Sequence, residues 1–181
     1  GLQIWQTNFG DEEPSVATDL NNIGMIEARL GNYAGATARL ADALARSERG
    51  FGAANRLTAL IRCNLGHAHA LSGDLERGRR FCEQAIADLR RDGAGARSEL
   101  VRALRKLGQQ HLWAGQPQQA VHVHDEALQV AHELGADIAA LEVAQTAVAR
   151  ASAVLSSGDL AAARLALDES LAAVRALGGS P

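Results

Sequence analysis

One spacing constrains the fold more than any other feature of this chain. The pairs Ile23-Gly24, Leu65-Gly66 and Leu107-Gly108 recur every 42 residues. Seven residues past each glycine stands another, at Gly31, Gly73 and Gly115, and a fourth copy carries Ala151 and then Gly158. A polar residue follows in each copy (Asn32, Asp74, Gln116, Asp159), then a small one four positions on (Ala36, Gly78, Ala120, Ala163). Further along come Ala43, Ala85, Ala127 and Ser170, each followed by Leu44, Ile86, Leu128 or Leu171. A unit this short cannot bury its own apolar face, so copies must stack on one another to share a continuous core.

Each recurring position has a physical reason. A small residue in each of two paired helices lets their backbones approach closely. The second glycine ends the first helix, because glycine accepts the left-handed conformation found at helix C-termini. The Asn or Asp after it caps the next helix by accepting backbone N–H bonds. Pro117 sits where a first-turn proline is tolerated. Between these marks apolar residues keep helical spacing, as in Leu104, Leu107 and His111. The pattern predicts helices at 15–30, 33–49, 53–72, 75–91, 96–114, 117–134, 137–157 and 160–177. No stretch reads as a strand. The expected fold is therefore all-α, a stack of antiparallel helix hairpins. Its repeats are expected at 15–49, 52–91, 95–134 and 136–178, with 1–10 the end of a truncated preceding repeat.

HEAT repeats have a similar period, but the Leu-Gly, Gly-Asp, Ala signature resembles tetratricopeptide repeats, in the 42-residue form of kinesin light chains. The run Phe9-Gly10-Asp11-Glu12-Glu13-Pro14, continuing through Asn21-Asn22-Ile23-Gly24, is similar to the junction between two such repeats, and Phe51-Gly52 echoes Phe9-Gly10. The resemblance covers nearly the whole chain. It departs where the family often places an aromatic in the first helices, and the last copy lacks its Leu-Gly pair. It implies a right-handed superhelical solenoid that binds peptide or protein segments in a concave groove lined by first helices. Bacterial signalling regulators of the NB-ARC type carry similar arrays, which implies a sensor or interaction region in a larger regulatory protein linked to transcription control.

Composition narrows the class. No apolar run approaches the ~18 residues a membrane span needs. A net charge of -3 argues against direct nucleic-acid binding. Arginine outnumbers lysine to the point that Lys106 is the one lysine, a bias typical of GC-rich bacterial genomes. Cys63 and Cys82 are too few for a disulfide framework and read as reduced thiols of a cytoplasmic protein. Cys63 is expected to face the groove, and Cys82 to replace an apolar core residue. The start in mid-repeat and the missing initiator Met fit a fragment of a longer array. The uncapped ends predict a homo-oligomer.

The groove face is read as positions i, i+4, i+7 and i+11 of each first helix. It gives Thr18, Asn22, Met25 and Arg29; Leu60, Asn64, His67 and Leu71; Arg102, Lys106, Gln109 and Trp113; Gln145, Ala149, Ser152 and Ser156. The candidate peptide-binding residues are Asn22, Met25, Asn64, His67, Arg102, Arg105, Lys106, Gln109 and Trp113. Similar asparagines hold peptide backbones in tetratricopeptide proteins, and a carboxamide offers both donors and an acceptor. Arg102, Arg105 and Lys106 favour an acidic or carboxylate-bearing partner. A chaperone-type carboxylate clamp is disfavoured, because Asn21 and Met25 stand where the family's clamp has Lys and Asn. Trp113 is either a binding anchor or a wedge between helices. The ordinary alternative for the asparagines and the basic residues is a solvated helix face.

Catalytic chemistry is not expected. His67 and His69 are two apart, as are His122 and His124, and such pairs diverge on a helix, so no metal or cofactor is predicted. His69, His111 and His124 lie on the core side. Asp125-Glu126 and Asp168-Glu169 read as exposed surface, and no nucleophile–base set emerges. The leading expectation is a peptide- or protein-binding module. The alternative is a structural segment that self-assembles or spaces other domains.

Overall fold

A computed structural model describes residues 14–134 and 136–178. The expected end of a preceding repeat at 1–10, with Trp5, lies outside the described residues. Every regular element among the described residues is helical. The chain divides into two compact units, Gly1–Asp92 and Gly93–Pro181. The first holds α1 (Pro14–Arg29), α2 (Tyr33–Phe51), α3 (Arg56–Leu71) and α4 (Leu75–Asp92). The second opens with a short 3-10 turn, Gly93–Ala96, and continues with α5 (Arg97–Trp113), α6 (Pro117–His132), α7 (Ala136–Ser156) and α8 (Leu160–Gly178). These are the predicted helices, shifted by one to three residues. The largest shift is at α3, because Gly52 turns at φ 87° and Asn55 caps the helix by accepting from Leu57 N at 2.9 Å.

The repeat marks act as their chemistry requires. Gly31, Gly73, Gly115 and Gly158 all have positive φ and end first helices. Asn32, Asp74 and Asp159 accept from Gly35, Arg77 and Ala162 N respectively, capping α2, α4 and α8. Gln116 does not cap α6. Its longer side chain reaches back to His111 Nδ1 at 2.8 Å, and Pro117 starts the helix without needing a donor.

Within each hairpin the small residues set the spacing. Gly24 faces Leu40, and Gly108 faces His124. In the second hairpin both positions are glycine: a Cβ on Gly66 would lie 2.6 Å from the Gly78 carbonyl oxygen, and the reverse is equally close. The core of the first unit joins Val16, Leu20, Leu40 and Leu44 to Ile61 and Leu65 of α3. A buried hydrogen bond of 2.7 Å between Ser47 and Thr58 adds a polar tie between α2 and α3. In the second unit Ala151, Val154, Ala163 and Ala166 pack α7 on α8. Alanine brings little transferable area, so close backbone approach and dispersion carry much of this packing.

Candidate functional site

The first helices of the first unit, α1 and α3, carry four candidate residues. Asn22 is exposed and Met25 is half-buried, resting on the core cluster. Asn64, at the position equivalent to Asn22, is only 4% exposed. Its Nδ2 donates to Asn21 Oδ1 at 2.7 Å, and Asn21 Nδ2 reaches Asn22 Oδ1 at 3.4 Å. A chain of carboxamides thus runs from buried Asn64 through Asn21 to exposed Asn22. The two asparagines that spacing treats as equivalent hold different environments, because Asn21 stands beside one while Cys63 stands beside the other. Among the described residues, Asn22 Nδ2 has no partner. His67 is half-buried on the same stripe, and His69 turns away to stack on Phe81 with ring centroids 5.7 Å apart. Burial, with Arg77 adding to it and Asp74 opposing, lowers the His69 pKa.

The basic helix of the second unit holds a feature that spacing did not reveal. Glu142 of α7 is 3% exposed. Arg102 Nε donates to its Oε1 at 2.9 Å, and Arg105 NH1 lies 3.2 Å from its Oε2. Arg105 also donates to Gln145 Oε1 at 2.5 Å. A carboxylate from the neighbouring repeat therefore sits where a ligand's carboxylate was expected. Burial and nearby Arg102 lower the Arg105 pKa, with Glu142 holding it up. The signal was present in the sequence: Glu142 is one turn before Gln145 on the same stripe. Lys106 and Gln109 are half-buried, and Trp113 is 40% exposed at the end of α5.

One expectation is corrected. Cys63 does not face the groove: it is fully buried, because the close approach of α3 and α4 turns it onto Cys82. Glu169 is exposed and Asp125 half-buried, and both pair with Arg150 of α7 on that surface. Among the described residues no group of three or more His, Cys, Asp or Glu side chains is placed to hold a metal. No described helix is long and apolar enough to cross a membrane.

Arg62 occupies the position that Leu20 and Leu104 hold in other copies. Its guanidinium reaches Asp88, Glu48 Oε1 at 2.9 Å and the Ala53 carbonyl at 3.2 Å. It lines a cleft of about 740 Å³ together with Glu48, Phe81, Asp88 and Arg91. Asp88 also pairs with Arg91, so the cleft's charges largely satisfy one another. Its design is a tie between α2, α3 and α4, not an anion site.

Residues 15–91 match the tetratricopeptide repeat family. The fold is similar to BtubC (BKLC) from P. vanneervenii, with a TM-score of 0.79 at 16% identity over 98% of this chain and 71% of that one. It is also similar to the nearly identical TPR-like repeats of a Podosopora anserina protein described as a kinesin light chain, with a TM-score of 0.71 at 16% identity over 99% of this chain and 84% of that one. At this identity the likeness establishes the fold alone. No curated protein matches the chain in sequence.

Proposed function

We propose, on the premise that residues 15–91 are tetratricopeptide repeats, that the chain is a non-catalytic module binding extended protein segments on the first helices of each unit. In the first unit the contact residues are Asn22, Met25 and His67, with buried Asn64 holding Asn21 behind them; in the second, Arg102, Arg105, Lys106, Gln109 and Trp113. The observation that carries this reading is the carboxamide chain from Asn64 to Asn22, which holds an open donor beside the apolar surface of half-buried Met25. Asn22 meets peptide backbone, Met25 meets an apolar side chain, and neither demands one sequence. The ligand need not be acidic, because Glu142 already answers Arg102 and Arg105. The module serves as the interaction region of a larger bacterial regulatory protein in the cytoplasm.

A displayed random-peptide library tests this. Peptides selected on the wild type should lose binding at least tenfold on a helical Asn22→Ala, Met25→Glu variant. Equal retention by the variant would remove the first-helix face from the function.

A second reading rests on α8. Leu167, Leu171 and Val174 are each about half exposed. Their first-copy counterparts, Leu40, Leu44 and Ser47, are buried, the two leucines against Ile61 and Leu65 of α3. Under this reading α8 pairs chains into an assembly. Light scattering against concentration, with a Leu171→Lys control, separates the two: a concentration-independent monomer removes self-assembly.

A further inference from the structure

Cys63 on α3 and Cys82 on α4 face each other across the second hairpin. Both are thiols outside any disulfide and have no exposed surface, and their sulfurs are 2.9 Å apart. A disulfide bond spans ~2.05 Å, so less than ~1 Å of closure separates the pair from a covalent link. The cause lies one helical turn away. Gly66 and Gly78 meet with so little space that a Cβ on either would sit 2.6 Å from the other's carbonyl oxygen. The other copies pair Gly24 with Ala36, Gly108 with Ala120 and Ala151 with Ala163, so only the second hairpin sets glycine against glycine. Nor does the repeat itself call for cysteines here: the equivalent positions hold Asn21 and Leu40 in the first copy, Arg105 and His124 in the third.

We propose that Cys63 and Cys82 form an intramolecular disulfide when the chain meets a low-molecular-weight disulfide, stapling α3 to α4. One cysteine thiolate attacks the small disulfide, releasing one small thiol and leaving a mixed disulfide on the protein. The second thiolate attacks the protein sulfur of that bond and releases the other small thiol. The two protons and two electrons lost by the cysteines end on the two released thiols. Neither sulfur is accessible in the closed hairpin, so the first step proceeds from a local opening of α3 and α4. Reclosure then delivers the second sulfur, because the sealed contact has no room for a bound adduct. In a reducing compartment the pair rests as two thiols.

The test treats the folded full chain with oxidised glutathione and counts thiols after denaturation. The expected result is a fall from two thiols to none, a mass lower by two hydrogens, a monomer on a non-reducing gel and a Tm raised by several degrees. Persistence of both thiols, a stable glutathione adduct or an intermolecular dimer would overturn the proposal. A second arm oxidises the chain in urea and then removes the urea. Full helicity with a raised Tm is expected, and failure to regain the fold would show that the closed bond does not fit the hairpin. Gly78→Ala, checked for helicity, should leave severalfold more of the chain as the glutathione adduct, because the added methyl hinders the reclosure that delivers the second sulfur. An unchanged adduct fraction would refute the role given to the glycine contact, whatever the rate of the opening step.

Discussion

His124 is the group whose titration this structure most clearly ties to stability. It is 1% exposed, packed on Gly108, and among the described residues neither ring nitrogen has a hydrogen-bond partner. Burial, with Arg105 and His111 adding to it and Asp125 opposing, lowers its pKa from 6.5 to about 4. The unfolded chain binds this proton near pH 6.5 and the folded chain only near 4. Folding stability is therefore lost as pH falls through that window. At ~1.36 kcal/mol per unit, the shift amounts to about 3 kcal/mol, of which roughly 2.5 kcal/mol is lost by pH 4.5. His124→Leu removes the titrating group and installs the residue that packs on Gly24 in the first copy, Leu40. The assay is urea unfolding followed by Trp113 fluorescence in a Trp5→Phe background, at pH values from 7 to 4.5. The variant should be more stable than wild type at pH 7, by ~1–3 kcal/mol for two unpaired buried nitrogens. The gap should widen by roughly 2.5 kcal/mol on acidification. Parallel loss in both proteins, within ~0.5 kcal/mol, would refute the reasoning.

Three further outcomes are expected. Gly66→Ala should lower stability by ~1–3 kcal/mol or more, measured by thermal unfolding, because the new methyl meets backbone and not a movable side chain. Asn21→Ala and Asn64→Ala should show a coupling of about 0.5–1.5 kcal/mol in a double-mutant cycle, reflecting their 2.7 Å bond. Glu142→Gln should weaken the second unit and create salt-sensitive affinity for acidic peptides where wild type has little; equal affinity in both proteins would show that Glu142 does not occupy the basic face.

The fold was legible because the repeat positions act locally. Glycine ends a helix and Asn or Asp caps the next wherever they occur, so Gly31-Asn32 and Gly73-Asp74 mark turns without knowledge of any partner. The candidate site was less legible because its character depends on neighbours outside the repeat register. Asn22 and Asn64 are identical by spacing, yet the residue beside each sends one outward and the other into the interface. Arg102 and Arg105 read as an open basic face until α7 brings Glu142 against them. Cys63 was expected to face the groove, yet its position points into the packed helices, where Asn21, at the equivalent place in the first copy, is buried too. Periodicity records which positions share a face, but the distance between two faces is set by pairs of small residues whose effect shows only in the packed structure.

Met25 is the chain's one methionine and lies on the α1 face assigned to the ligand. Its carbon-13-labelled methyl group, observed by NMR during titration with a library-selected peptide, tests the central claim most directly. The account predicts a saturable shift of the Met25 signal that tracks binding and is lost with Asn22→Ala. A peptide that binds to saturation and leaves the Met25 methyl unmoved would contradict it.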